Sequence, residues 1–186
     1  MRLLIATSNP DKLKEYRQLL RPWRLITAPA GPAPREIGTS FKQNAIIKAK
    51  YYGQKSGMMT LCDDTGLEIK ALNNFPGIYS NRFAKGDFAA ARKKILSRVK
   101  ADRRASFVCV LALYFPDTKK VKTFTGTVSG VIAPRSRGRW GFGYDPIFYL
   151  PRLKKTFGEL SLKEKSLYSH RSLAAKKLIA FLKNSR

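Results

Sequence analysis

The opening twenty residues constrain the fold more than any other stretch. Residues 2–7 (RLLIAT) read as a short buried strand, and residues 8–11 (SNPD) supply turn and helix-start chemistry. Leu13, Tyr16, Leu19 and Leu20 then recur at helical spacing, which predicts a helix over 10–20. A strand that hands straight over to a helix points to an α/β layer arrangement.

The rest of the chain continues that alternation. The pattern predicts a second strand over 24–28, a Pro/Gly-rich loop over 29–38 and a helix over 41–54. It predicts a strand over 58–62 running into Asp63-Asp64, a turn there, and a return strand over 67–72. A helix over 88–99 follows. Residues 104–115 and 120–133 are β-branched and aromatic, with Pro116-Asp117 between them, and predict a hairpin. Residues 134–144 read as a Gly/Arg-rich loop, 147–150 as a short strand, and 161–168 and 169–183 as helices. No internal repeat, low-complexity segment or linker interrupts residues 1–186, so a single domain is expected.

Charge narrows the partners. The chain carries 37 Lys plus Arg against 12 Asp plus Glu, a formal net charge of +25. The basic residues are spread along the whole length, which favours polyanions or reflects a basic solvated surface. With 44% apolar residues there is material for a core, which speaks against a disordered chain. Cys62 and Cys109 lie in apolar runs with no CxxC or Cys/His cluster, so buried thiols are expected rather than a zinc site. The longest apolar run, 107–115, is too short to span a bilayer. No signal-peptide pattern opens the chain, and a cytoplasmic location without membrane partners is expected.

Four segments carry side chains that do chemistry. Thr7, Ser8, Asn9, Pro10, Asp11 and Lys12 join a strand to a helix N-terminus, whose N–H groups and dipole suit a phosphate; capping by Ser8 or Asn9 is the plainer reading. Asp63 and Asp64 end an apolar strand in an acid-poor chain and would suit a hard cation if the backbone turned at Gly66; an Asx-capped turn is the alternative. Phe142, Gly143, Tyr144 and Asp145 combine close backbone approach with aromatic faces for a base, or else plug the core edge. Ser169 is a candidate N-cap before His170, the lone histidine, and no nucleophile–base triad accompanies it.

Taken together, residues 6–15 (ATSNPDKLKE), 41–50 (FKQNAIIKAK), 63–84 (DDTGLEIKALNNFPGIYSNRFA), 141–151 (GFGYDPIFYLP) and 165–171 (KSLYSHR) resemble, in order and from end to end, the inosine triphosphate pyrophosphatase family. The resemblance implies an elongated α/β fold with a long central mixed sheet flanked by helices, two lobes around a deep nucleotide-binding cleft, and a homodimer. It implies hydrolysis of ITP, dITP or XTP at the α-phosphorus, with Mg²⁺ (or Mn²⁺ as a substitute), to the monophosphate and pyrophosphate. On this basis Asp64 is the catalytic carboxylate, with Glu36 as a second metal-side acid and Asp63 in support. Thr7 to Lys12 and Lys48 would hold phosphates, and Phe142 to Asp145 the base. Lys165, His170 and Arg171 would make further nucleotide contacts, Arg171 as donor to the 6-oxo oxygen.

Two departures stand out: Thr65 where the family usually has Ser, and Gln43 where an acid is common. The basic balance also exceeds what the family suggests, leaving nucleic acid as a non-specific electrostatic partner. Two rival readings are a basic nucleic-acid-binding protein and a Maf-like pyrophosphatase acting on other nucleotides. No finger, RRM-like or helix-turn-helix signature supports the first.

Overall fold

The computed structural model describes residues 2–184 other than Pro22 and Ala30, the latter within the expected 29–38 loop. Seven strands form one mixed sheet in the order β2-β1-β3-β4-β5-β6-β7. The chain divides into two compact units. Unit 1 comprises residues 1–64, 109–126 and 171–186; unit 2 comprises residues 65–108 and 127–170.

Unit 1 begins as the opening residues require. Strand β1 (Arg2–Ile5) leads through Ala6 to Asn9 into helix α1 (Pro10–Leu19), and β2 (Arg24–Thr27) returns parallel to β1. Helix α2 (Phe41–Ser56) then carries the chain to the other side of β1, where β3 (Thr60–Ile69) pairs parallel with it. The strand order therefore reverses at β1, and the carboxyl ends of strands at such a switch point are where open α/β sheets bind ligands. Leu3, Ile5, Tyr16, Leu61, Leu111 and Leu178 pack in one buried cluster under α1 and α6 (His170–Asn184). Helix α2 buries Phe41, Ala45, Ala49 and Gly53, four positions one turn apart. Gly53 is obligatory there, because a Cβ would lie 2.1 Å from the Tyr114 ring.

One expectation is corrected. The chain does not turn at Gly66 and return over 67–72: β3 runs unbroken from Thr60 to Ile69, and only Lys70–Leu72 forms a short 3-10 turn. Leu67 and Ile69 are both fully buried in continuation of the strand, so burial overrides the local turn chemistry of Asp-Asp-Thr-Gly.

Unit 2 holds α3 (Ser80–Ala84), α4 (Phe88–Arg98), the remaining lengths of β4 (Arg104–Tyr114) and β5 (Val121–Ile132), then β6 (Phe148–Leu150), β7 (Lys155–Thr156) and α5 (Leu162–Tyr168). Strands β5, β6 and β7 pair antiparallel. Phe107, Phe148, Phe157 and His170 form an aromatic core, with His170 stacked on Phe107 at 4.6 Å. The short 3-10 turns Asp145–Ile147, Pro151–Leu153 and Phe157–Glu159 have no periodic signal and were not expected. Among the described residues no helix is long and apolar enough to cross a membrane.

Candidate active site

The turn after β1 is tied down by its own side chains. Asn9 is the N-cap of α1: its Oδ1 accepts from the backbone N–H groups of Asp11 (2.9 Å) and Lys12 (3.1 Å). Thr7 Oγ1 accepts from the Asn9 N–H at 3.2 Å, and Pro10 has none to offer. The N–H groups that made this turn a phosphate candidate are thus already capped. What it presents outward is the exposed Ser8 and, one turn in, the Lys12 ammonium.

That ammonium points at β3. Lys12 Nζ donates to Asp63 Oδ2 at 2.7 Å. Asp64, next along an extended strand, projects to the opposite face, where Lys48 Nζ donates to its Oδ1 at 3.3 Å and to Glu36 Oε1 at 2.7 Å. Each acid of the pair therefore meets a lysine from a different helix. Both carboxylates are buried, at 5% and 7% exposure, yet they are held differently. Burial pushes the Asp63 carboxyl up, but Lys12, Arg171 and Lys48 overcome it and hold it well below the ordinary range. For Asp64 burial wins: with Lys48 shared and Glu36 and Asp63 nearby, its carboxyl is raised. Burial acts to lower the Lys48 ammonium, and Asp64, Asp63 and Glu36 together raise it instead. Asp64 Oδ2 is buried without a hydrogen-bond partner.

The loop carrying Glu36 is fastened by Asn44, which the sequence did not single out, and by Gln43, which it marked only as a departure. Asn44, fully buried and one turn before Lys48 on α2, accepts the Gly38 N–H at 2.9 Å through Oδ1. Gly38 has no room for a side chain, since a Cβ would lie 2.6 Å from that oxygen. Gln43, standing where an acid is common, braces the loop locally. Its Oε1 accepts from Thr39 N–H (2.7 Å) and Oγ1 (3.0 Å), while Ser40 Oγ caps the Gln43 N–H. An amide oxygen serves here as well as a carboxylate. The only signal for Asn44 was its position four residues before Lys48.

Glu15 is a second unforeseen member. It is buried on α1 and paired with Arg171, itself 1% exposed at the start of α6. Arg171 lies over the Tyr16 ring at 5.6 Å and helps keep Asp63 ionised. Arg171, the expected base-reading donor, is thus engaged within unit 1 by an acid.

Unit 2 holds the remaining candidates. Asp145 Oδ2 accepts from the Phe142 N–H (2.8 Å) and from Lys165 Nζ (2.6 Å), closing the 142–145 turn on one oxygen. Gly141 (φ 74°) and Gly143 (φ 64°) adopt the left-handed backbone this turn demands. Lys165 Nζ stands 4.7 Å from the centroid of the half-buried Phe142 ring. Tyr144 is core: it is 3% exposed, packs edge-on to Phe88 and donates its hydroxyl to Ser80 O at 2.8 Å. His170 is likewise buried, stacked among Phe107 and Phe157. Thr65 is half-buried on β3.

A divalent cation fits the unit 1 cluster. Among the described residues no group of three or more His, Cys, Asp or Glu is arranged to hold a metal alone. Mg²⁺ needs only one or two carboxylates when phosphate and water oxygens complete its shell. Asp64, with a partnerless buried oxygen, and Glu36, sharing the same ammonium, are the carboxylates that would supply such a donor set. The cluster of Glu15, Glu36, Asp63 and Asp64 against Lys12, Lys48 and Arg171 is one negative charge in excess, and a dication would reverse that sign before a polyanionic substrate arrives.

The model of the Ham1 family matches residues 3–181. A Thermus thermophilus protein named dITP/XTP pyrophosphatase is 41% identical, the match covering 99% of this chain and 93% of that protein. The solved Staphylococcus aureus Ham1 protein superposes with a TM-score of 0.89 at 39% identity, over the full length of both chains. A HAM1 protein from Coxiella burnetii gives a TM-score of 0.88 at 37% identity, covering 99% of each.

Proposed function

This chain belongs to the Ham1 family, and we propose that it hydrolyses noncanonical purine nucleoside triphosphates (ITP, dITP, XTP) to the monophosphate and pyrophosphate. The observation that carries this reading is the Asp64 carboxylate, buried with one oxygen unpartnered and flanked by Lys48 and Glu36.

The geometry supports these roles. Lys12 and Lys48 are the mobile cations for the triphosphate, and each is held until then by an acid on β3. Asp64 and Glu36 would hold Mg²⁺, which supplies charge neutralisation on the phosphoryl oxygens when bound. Asp64 orients water toward the α-phosphorus and accepts its proton, and burial moves its carboxyl in the direction a base requires. Asn44 fixes Glu36 through Gly38. Asp63, kept ionised by Lys12 and Arg171, holds Lys12 in place.

For the base we assign Phe142 as the stacking face and Lys165 as the donor beside it. Hypoxanthine and xanthine present an acceptor at C6 where adenine presents a donor, and a buried donor–donor mismatch costs about 1–3 kcal/mol. Arg171 keeps its ion pair with Glu15 in unit 1. A homodimer in the cytoplasm completes the proposal.

A nucleotide panel tests it: ITP, XTP, dITP, GTP, ATP, UTP and dTTP with Mg²⁺, with both products identified. Preferential release of IMP, XMP or dIMP with pyrophosphate is expected. Fastest turnover of UTP or dTTP would instead indicate a Maf-like enzyme, and no turnover would leave a binding protein.

A further inference from the structure

We propose that the β6–β7 end of unit 2 is a binding surface for single-stranded nucleic acid. Three arginines lie over three aromatic rings there: Arg137 over Tyr149 at 5.7 Å, Arg139 over Trp140 at 5.2 Å, and Arg152 over Tyr168 at 4.9 Å. Backbone bonds draw the segments together. Trp140 N–H donates to Gly158 O (2.8 Å), Arg137 N–H donates to Pro146 O (2.9 Å), and Tyr149 is in register with Thr156. Trp140 is 50% exposed, the only large aromatic besides Tyr79 so exposed among the described residues.

Charge alone does not single out this face, because the whole chain carries +25. Lys155 has a simpler explanation: β7 is the sheet's edge strand, where lysine blocks strand addition, and Glu164 is 3.5 Å away. Arg139 and Arg152 have no such account, as no acid among the described residues pairs with either. Placed over the rings, their guanidiniums add to the aromatic surface and offer planar groups to bases and donors to phosphates. Cationic grooves interleaved with aromatic faces are what sequence-tolerant single-strand binders use, since every base has a π-face. Duplex DNA hides those faces, and a lipid surface has none.

The test uses the full chain with a short labelled oligodeoxythymidylate, its duplex with oligodeoxyadenylate, and phosphatidylserine vesicles. Anisotropy is followed as a function of salt, and tryptophan emission in parallel. Trp23 is 7% exposed, so quenching reports Trp140. The single strand should bind more tightly than the duplex or the vesicles and quench Trp140. Trp140→Ala should weaken it about tenfold, within the range of one lost stacking contact. Arg139→Gln with Arg152→Gln should reduce the logarithmic salt slope by about 1.4, two phosphate contacts of about 0.7 each. Lys93→Gln with Lys94→Gln, an equal charge loss on α4, should leave the slope unchanged. An equal loss in that control, tighter duplex or vesicle binding, or an unquenched Trp140 would overturn the proposal.

Discussion

Asp63 and Asp64 are neighbours on one strand, and neutralising them should have different effects on stability. Asp63 is favoured in its charged form by Lys12, Arg171 and Lys48 against the penalty of burial. Asp63→Asn removes one partner of a buried pair, a change that costs about 3–5 kcal/mol when nothing can relax. Lys12 keeps 19% exposure and can turn toward water, so the lower end, about 3 kcal/mol, is expected. At about 2–4 °C per kcal/mol for a chain of this length, Tm should fall by roughly 6–12 °C. The Asp64 carboxyl is raised by burial, with Glu36 and Asp63 adding to it and Lys48 and Lys12 opposing, and its Oδ2 makes no bond. Asp64→Asn should therefore not destabilise the fold and should shift Tm upward if at all, while reducing turnover about 10³-fold.

The pH dependence separates the two further. A lowered carboxyl contributes stability that is present above the ordinary value of 3.8 and is lost as pH falls below it, so the deficit of Asp63→Asn should disappear only in strong acid. A raised carboxyl costs stability above its own folded pKa, and that cost fades as pH falls toward 3.8, so any gain of Asp64→Asn should vanish earlier on acidification. Calorimetry of both variants and wild type in metal-free buffer reads this directly. Two shifts of the same sign, or a destabilised Asp64→Asn, would refute the reasoning.

Gly38→Ala places a Cβ 2.6 Å from Asn44 Oδ1 and should raise the Mg²⁺ concentration for half-maximal ITP turnover about tenfold, the cost of one buried bond; an unchanged Mg²⁺ titration contradicts it. Arg171→Ala removes the guanidinium from the buried Glu15 carboxylate and should cost about 3–5 kcal/mol in denaturant unfolding, most of it recovered by adding Glu15→Leu; no recovery contradicts the pairing. Lys165→Met leaves Asp145 to hold the 142–145 turn through the Phe142 N–H, and should raise KM for ITP about tenfold with little change in kcat; an equal fall in kcat would assign Lys165 to the chemical step.

Where local chemistry and periodicity agreed, the fold was readable. Leu13, Tyr16, Leu19 and Leu20 marked α1, and 104–115 and 120–133 marked β4 and β5 to within a residue or so. Asp63 to Gly66 misled because turn propensity is local, whereas Leu67 and Ile69 are held by the sheet. The segment after Tyr144 has three 3-10 turns set by tertiary contacts, such as the bond from Arg137 N–H to Pro146 O, which no periodicity announces. Lys12 and Asp64 stood out from their own segments, Lys48 and Glu36 only through resemblance, and the structure brings them into two ion-paired groups on adjacent residues of β3. Glu15 was invisible as a partner because Arg171 lies 156 positions away. Tyr144 shows the reverse: in a motif suggestive of base binding, it is spent on the core.

The central claim is that Asp64 directs water onto the α-phosphorus of a purine triphosphate. Single-turnover hydrolysis of ITP in water carrying a heavy oxygen isotope, with both products weighed by mass spectrometry, tests it most directly. The heavy atom should appear in IMP and be absent from pyrophosphate. Label in pyrophosphate, or release of orthophosphate with IDP, would contradict it.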